Sequence, residues 1–292
     1  MFTVVWRYAA PLALLSCLLT GCEAVDNEPV STVSYLQRRA ALQTKLTKAG
    51  PAPQEFEQES PPANTQEITF VSGDLPLKAW VYVPPGDPAT PRPALVFFHG
   101  GFAFGGGDMA ELQPFMDAGF VVMCPMLRGE NGNPGNFELF WGEVDDAKAA
   151  VHWLAGQPYV DRNRIFTFGH SVGGGVSAML SLLDDVPIQH GGSSGGLYGT
   201  RVFSDWSDIV PFDRSNKEEA RLRVLLGNIQ HMQRRHFAYL GASDLFGPEM
   251  KKAKQEAAGG GKLEVISVPG DHFSSFQPAL EDYLRKVQNG VN

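Results

Sequence analysis

From about residue 66 onward, the chain alternates between short apolar runs and segments whose apolar residues recur at helical spacing. The unbroken apolar runs at 94–98 and 120–124 are typical of strands that are buried on both faces. Amphipathic segments such as 143–155 and 277–287 predict helices between and after the strands. This alternation predicts an α/β fold, in which a doubly wound, mainly parallel sheet carries helices on both faces.

The individual elements follow from the same pattern. We expect an antiparallel pair of strands at 67–71 and 77–83, joined by the turn at 72–74. Further strands are predicted at 94–98, 120–124, 164–168, 236–240 and 263–268, and helices at 109–118, 143–155, 172–183, 248–258 and 277–287. The segment 187–230, part of which is rich in Gly and Ser, is expected to hold one more strand and a small cap.

The first 21 residues differ in kind from the rest. They contain one cation, Arg7, and a mostly apolar run at 9–19 that is too short to span a bilayer as a permanent helix. The sequence LTGC at 19–22 resembles the lipobox of bacterial lipoprotein signals, in which the cysteine is acylated and becomes the new N-terminus. We therefore expect a lipoprotein signal peptide at 1–21 and lipid on Cys22. The alternative is a plain secretory signal.

Residues 22–65 are predicted to tether the folded domain to the membrane, on the periplasmic side or at the cell surface. The spacing within 31–48 favours a modest amphipathic helix, which could dock on the domain or lift it from the membrane. The Pro- and Glu-rich stretch GPAPQEFEQESPPANTQ at 50–66 is typical of an extended linker. The folded domain is then expected at 66–292.

Composition and charge exclude several classes of function. The net charge of −8 provides no basic surface for nucleic acid. Of the three cysteines, Cys17 lies in the predicted signal and Cys22 at the lipidation site, so no intramolecular disulfide is expected. Cys124 lies in an apolar run and is predicted to be an inert core residue. No histidine has the spacing of a metal ligand, and no metal is expected.

The sequence GHSVG at 169–173 fits the motif G-x-S-x-G between a predicted strand and a predicted helix. In such a nucleophile elbow, the serine hydroxyl stands above the sheet at the start of the helix. Ser171 is therefore the predicted nucleophile. The preceding His170 is interpreted as a packing residue that faces the sheet interior.

A serine nucleophile needs a base, which is in turn oriented by a carboxylate. Asp244 follows the strand at 236–240, and His272 follows the strand at 263–268. Catalytic groups of open α/β sheets collect at these carboxyl ends, and the chain order Ser, acid, His is the one this elbow requires. We therefore predict a triad of Ser171, Asp244 and His272. Asp271 competes for the acid role, but a carboxylate rarely reaches the imidazole of its neighbour.

The loop HGGF at 99–102 follows the strand at 94–98, where esterases and lipases carry an oxyanion-hole loop. The expected donors are the N–H of Val172 and the N–H of Gly101 or Phe102. The three glycines at 105–107 could suggest a phosphate-binding loop, but no Lys-Ser/Thr pair follows them, so no nucleotide is expected.

The segments VFFHGG, PMLRGENGNPG, GQPYVDRNRIFTFGHSVGG, LGASD and PGDHFSSF resemble the catalytic domain of the prolyl oligopeptidase family of α/β-hydrolases. The resemblance covers about residues 66–292. It implies Ser171 as nucleophile, Asp244 as acid, His272 as base, and neither a metal nor an organic cofactor. Family peptidases usually carry an N-terminal β-propeller, for which the residues between Cys22 and Gln66 are too few, so ester cleavage stays open beside peptide cleavage.

The expected protein is thus a membrane-anchored serine hydrolase. It would cleave a small-molecule ester or a peptide through an acyl-enzyme. Two alternatives stay open: a carboxylesterase or lipase-type enzyme, and a catalytically silent lipoprotein that uses a hydrolase fold for binding.

Overall fold

A computed structural model of the protein describes residues 31–86 and 90–290. The predicted signal peptide and the predicted lipidation site, Cys22, lie outside the described residues. Within the described ranges, none of the helices combines the length and the apolar character that crossing a bilayer requires.

The described residues form one eight-stranded sheet. Its strands are β1 (Thr65–Ser72), β2 (Leu75–Tyr82), β3 (Arg92–Phe98), β4 (Val121–Pro125), β5 (Val160–His170), β6 (His190–Ser194), β7 (Arg235–Gly241) and β8 (Leu263–Val268). They lie in the order β1-β2-β4-β3-β5-β6-β7-β8. The pairs β1–β2 and β2–β4 are antiparallel, and all later neighbours are parallel. The predicted, mainly parallel sheet is confirmed.

Helices cover both faces of this sheet. They are α1 (Tyr35–Ala41), α2 (Gly106–Ala110), α3 (Gln113–Asp117), α4 (Gly142–Ala155), α5 (Ser171–Leu180), α6 (Arg201–Asp205), α7 (Lys217–Leu222), α8 (Gly247–Ala257) and α9 (Phe276–Asn289), with a 3₁₀ turn at Ile229–His231. Successive residues of β3 point to opposite faces, so that Val96 packs in a core with α4 and α5, and Phe97 packs in a core with α3 and α9. This double burial explains the unbroken apolar run.

The predicted helix at 109–118 is wrong in one respect, because the structure divides this segment into α2 and α3. Pro114 has no N–H to donate to the carbonyl of Ala110, and its ring clashes with that turn of a continuous helix. The same proline is well placed in the first turn of α3, where the N–H would have no helical partner.

Strand β6 has the sequence HGGSS, and it carries none of the apolar residues that mark the other buried strands. Its glycines are needed because neighbouring side chains fill the space beside it. A Cβ at Gly192 would lie 2.8 Å from the rings of Phe168 and Tyr283, and a Cβ at Gly191 would lie 2.8 Å from His236 Nδ1. The sequence therefore predicted a strand in this region but could not place it.

The N-terminal helix is shorter than expected and packs against the domain. Helix α1 begins after Ser34, whose hydroxyl accepts a hydrogen bond from the Gln37 N–H in a capping box, and it ends at Ala41. The buried Tyr35 donates its hydroxyl to the carbonyl of Leu222 at 3.1 Å. Arg39 forms an ion pair with Asp145 of α4 at 2.8 Å. Of the two arrangements considered for this helix, the structure has the docked one.

Candidate active site

Four loops that follow parallel strands meet at one edge of the sheet. The loop that begins with His99 follows β3, Ser171 follows β5, Asp244 lies beyond β7, and His272 lies beyond β8. Since neighbouring parallel strands end on the same side, the order of the sheet alone assembles these residues.

Ser171 lies at a sharp turn between β5 and α5, with φ at +52°. This left-handed conformation is costly for a residue with a Cβ, and it is typical of a serine in a nucleophile elbow. The turn requires glycine on both sides: a Cβ at Gly173 would collide with the backbone carbonyl of Phe98, and one at Gly169 would collide with the backbone of Gly173 itself. The two glycines of the motif thus have a steric reason.

Asp244 and His272 form a buried hydrogen-bonded pair. The Nδ1–H of His272 donates to Asp244 Oδ2 at 3.1 Å, and the N–H of Phe246 donates to the other carboxylate oxygen at 2.9 Å. Burial alone would raise the pKa of the Asp244 carboxyl, but these hydrogen bonds and the charge of His272 outweigh burial and hold that pKa below its usual value. With Nδ1 occupied, Nε2 of the imidazole is left to exchange a proton.

The nucleophile is connected to this pair through the turn that follows β6. The N–H of Leu197 donates to the Ser171 carbonyl at 3.2 Å. Gly195, with φ at +58°, lies so close to the pair that a Cβ there would be 2.7 Å from His272 Nδ1. Among the hydrogen bonds of the described residues, none joins the Ser171 hydroxyl to His272. Such catalytic hydrogen bonds are often loose until substrate binds.

His170 has a role that the sequence interpretation missed. Its Nε2–H donates to the backbone carbonyl of His272 at 2.9 Å, and the centres of the two rings lie 5.0 Å apart. Burial lowers the pKa of His170 to about 4, so the ring is neutral at ordinary pH. The ring packs as expected, with its centre 5.4 Å from that of Phe276, and it also supports the loop of the predicted base. Its position directly before the serine was the available signal.

The predicted oxyanion-hole loop lies beside the nucleophile. A Cβ at Gly100 would be 3.7 Å from Ser171 Cβ, and the carbonyl of His99 accepts the Gly173 N–H at 3.1 Å. Gly101 has φ at +69°, which favours glycine. The N–H of Phe102, one of the expected donors, binds Gln54 Oε1 at 2.9 Å. Nothing in the sequence pattern pointed to Gln54.

A buried ion pair holds the start of this loop. His99 Nε2 lies 3.1 Å from Glu130 Oε2, and both side chains are 4% exposed. Burial alone would lower the pKa of His99, but the Glu130 carboxylate outweighs it and raises that pKa to about 9. Glu130 Oε2 also accepts the Leu127 N–H at 2.7 Å. The pair therefore joins the loops after β3 and β4.

Asp271 is not placed to act as the acid. Its Oδ1 accepts hydrogen bonds from the N–H of Phe273 at 3.1 Å and from the N–H and hydroxyl of Ser274 at 2.8 and 2.6 Å. It thus stabilises the turn that carries His272, while the carboxylate hydrogen-bonded to the imidazole belongs to Asp244.

Cys124 is buried, as expected of a core residue, and its Sγ–H donates to the sulfur of Met109, with the two sulfur atoms 3.4 Å apart. Burial raises the pKa of its thiol well above the usual value, which makes it unreactive. Within the described ranges, no three His, Cys, Asp or Glu side chains are grouped in a way that would hold a metal ion.

A serine elbow, an Asp–His pair and an HGGF loop at the carboxyl edge of a parallel sheet define the class of α/β-hydrolases. Solved structures share this fold. A puromycin-hydrolyzing peptidase of Mycobacterium tuberculosis superposes with a TM-score of 0.66 at 18% identity, over 77% of this chain and 40% of that one. Esterase 2 of Thermogutta terrifontis superposes with a TM-score of 0.62 at 19% identity, over 78% of this chain and 95% of that one. The predicted fold class is confirmed.

Sequence comparison narrows the class to a family. The family model of X-Pro dipeptidyl-peptidases, the S15 family, matches residues 38–189, and the chain belongs to this family. The uncharacterized peptidase YtmA of Bacillus subtilis is 27% identical over 165 residues, which cover 56% of this chain and 58% of that protein. The chain spans about half the length of the curated relatives it matches. The expected kinship with prolyl-oligopeptidase-like serine hydrolases is confirmed, and the lipoprotein assignment stays a prediction.

Proposed function

We propose that the protein hydrolyses esters or amides through an acyl-enzyme on Ser171, with His272 as base and Asp244 as the acid that orients it. The observation that carries the proposal is the buried hydrogen bond from His272 Nδ1 to Asp244 Oδ2, at the sheet edge that also presents the strained Ser171. A protein that used this fold only for binding would need neither feature.

In the first half of the reaction, His272 Nε2 takes the proton of the Ser171 hydroxyl as Oγ attacks the substrate carbonyl carbon. The carbonyl oxygen becomes an oxyanion, which the N–H of Val172 and the N–H of Gly101 or Phe102 would stabilise. When the tetrahedral intermediate collapses, the C–O or C–N bond breaks, and His272 returns the proton to the departing alcohol or amine.

In the second half, a water molecule takes the place of the leaving group. His272 removes a proton from this water as its oxygen attacks the acyl carbon. The second intermediate collapses to the free acid, and His272 restores the proton to Ser171. Buried Asp244, whose pKa is held below its usual value, stays ionised throughout and stabilises the imidazolium.

The substrate class is a small ester or a peptide. Membership of a family of X-Pro dipeptidyl-peptidases favours a peptide. A second candidate, ester hydrolysis, is favoured by the esterase neighbour, because 95% of that enzyme's chain is matched by this one. The ring centres of Trp206 and Phe102 lie 5.4 Å apart, so the segment predicted to form a cap packs beside the oxyanion loop.

The test is a panel of p-nitrophenyl esters of short acids and of X-Pro and aminoacyl p-nitroanilides, with Ser171→Ala as the background. We expect turnover of at least one group by the wild type and a loss of about 10⁴-fold or more in the variant. The group with the higher kcat/KM decides between peptide and ester. If the folded wild type turned over neither group, or if Ser171→Ala retained activity, the binding-protein alternative would replace this proposal.

A further inference from the structure

The Pro- and Glu-rich segment at residues 50–59, here called the strap, runs across the loops of the candidate active site. Its first end is fixed by backbone hydrogen bonds: the Gly50 carbonyl accepts the Phe137 N–H at 2.8 Å, and the Ala52 N–H donates to the Gly129 carbonyl at 3.0 Å. Its far end is fixed by Glu59, whose Oε2 accepts the Gly106 N–H at 2.8 Å. The strap is therefore held at both ends and not free in solvent.

Between these ends, Gln54 reaches the oxyanion-hole loop. Its Oε1 accepts the Phe102 N–H at 2.9 Å, and a Cβ at Gly101 would lie only 2.6 Å from the same oxygen. The adjoining Gly100 lies next to the nucleophile, with its Cβ position 3.7 Å from Ser171 Cβ. The side-chain carbonyl of Gln54 thus lies against the loop that is expected to receive the substrate carbonyl.

The hydrogen bond of Gln54 resembles the one that a substrate carbonyl would make with the same loop. A carboxamide oxygen accepts a hydrogen bond from a backbone N–H in the same way as the carbonyl oxygen of a peptide or ester does. An N–H that is bound to Gln54 is not available to a developing oxyanion, which must lie at the same hydrogen-bonding distance. Substrate and Gln54 therefore compete for one donor.

We propose that Gln54 is a built-in competitor of the substrate, and that the strap must withdraw Gln54 from the Phe102 N–H before the oxyanion hole can act. The inference rests on the proposed function, because the competition matters only if Phe102 donates to an acyl-transfer intermediate. It adds a regulation of the site: anything that pulls the strap away raises the reactivity of Ser171.

The structure allows such a withdrawal at low cost. Strap residues 53–59 are exposed, and Phe56, the largest of them, keeps 43% of its surface in solvent. Ala52, by contrast, is buried, and it would remain in place together with the Glu59 contact at the other end. Withdrawal of Gln54 between the two fixed ends thus breaks one neutral hydrogen bond and little apolar packing, which corresponds to a change of about 3- to 10-fold in rate.

The experiment compares Gln54→Ala with the matched control Gln58→Ala, an exposed glutamine of the same strap. The readout is the second-order rate constant for labelling Ser171 with a fluorophosphonate, whose phosphoryl oxygen enters the oxyanion hole. We expect Gln54→Ala to label about 3- to 10-fold faster than the wild type, and Gln58→Ala to label at the wild-type rate. An unchanged rate for Gln54→Ala would overturn the proposal. A slower rate would also overturn it, and would make Gln54 a support of the loop.

A second measurement does not depend on activity. Hydrogen–deuterium exchange of a peptide that contains Phe102 should show one amide that is protected in the wild type and in Gln58→Ala, and that exchanges faster in Gln54→Ala. Equal exchange in all three proteins would contradict the contact itself. If the wild type exchanged as expected but did not react with the fluorophosphonate, the proposed function would have failed. If it reacted and Gln54→Ala behaved like the wild type, the competition alone would have failed.

Discussion

The Nε2–H of His170 donates a 2.9 Å hydrogen bond to the backbone carbonyl of His272, so the residue before the predicted nucleophile holds the loop of the predicted base. The contact joins two strand ends that lie 102 positions apart in the chain. Nε2 of the ring contacts the loop of His272, and Nδ1 lies on the side of Gly100. The ring therefore links the elbow, the oxyanion-hole loop and the loop of the base.

Two substitutions of His170 distinguish the packing of its ring from the hydrogen bond that the ring donates. His170→Phe keeps an aromatic ring but loses the donor, and we expect kcat to fall about tenfold with a smaller change in KM, because the imidazole of His272 is less well held. His170→Gln keeps an N–H donor and should recover activity to within about threefold of the wild type. Steady-state kinetics and thermal unfolding of the three proteins provide the comparison. Equal activity of the two variants would mean that the hydrogen bond does not position the base.

Substitutions of Asp244 and Asp271 test which carboxylate orients His272. Asp244→Asn should lower kcat by about 10⁴-fold, because an amide neither favours the productive tautomer of the imidazole nor stabilises its cation. Asp271→Asn is the matched control. The exposed Asp271 carboxylate accepts a hydrogen bond from the Ser274 N–H, and replacing it by an amide should change kcat by less than about threefold. A reversed order of the two effects would assign the acid role to Asp271.

The His99–Glu130 pair predicts a dependence of stability on pH. The carboxylate raises the pKa of His99 in the folded protein to about 9, above the value of about 6.5 in an unfolded chain. The stabilisation is therefore complete below pH about 6.5 and is lost as the pH rises through about 9, with a total on the order of 3 kcal/mol.

Urea unfolding of the wild type and of Glu130→Gln at pH 6, 7.5 and 9 measures this stabilisation. The free energy of unfolding of the wild type should exceed that of the variant most at about pH 6, and the difference should shrink toward about pH 9. Glu281→Gln, on the exposed face of α9, corrects for the loss of a negative charge. A difference that grew with pH would contradict a protonated His99 in the folded state.

The predicted anchor can be tested in cells, although its residues lie outside those the structure describes. Cys22→Ser should release the protein from the membrane into the soluble exported fraction, because the acyl chains have no other attachment point. Cys17→Ser, within the predicted signal, should leave the membrane fraction unchanged. Membrane partition of Cys22→Ser equal to that of the wild type would refute the lipobox interpretation.

The sequence predicts best the structural features that are determined by residues close to one another in the chain. Strand β8 was predicted at its observed bounds, and the elbow at Ser171 was recognised, because both are encoded by consecutive residues. The division of the helix at Pro114 is also encoded locally, by a residue that lacks a backbone N–H. These features need no knowledge of what lies nearby in space.

The contacts of His170 and Gln54 could not be found in this way. The direction of the His170 ring is set by the loop after β8, and Gln54 reaches Phe102 only because the strap is fixed at Gly129 and Gly106. Such contacts arise from packing between segments that are distant in the chain, and neither periodicity nor motif spacing records them.

In the proposed reaction, the Ser171 hydroxyl becomes a nucleophile through His272, although no hydrogen bond joins the two among the described residues. The most direct test is to treat the wild type and His272→Ala with a fluorophosphonate and to map the modified peptide by mass spectrometry. We expect a single adduct on Ser171 in the wild type, and labelling slower by about 10³-fold or more in His272→Ala. A wild type that remains unmodified, or one that is modified at Ser171 equally fast without His272, would contradict the proposed reaction.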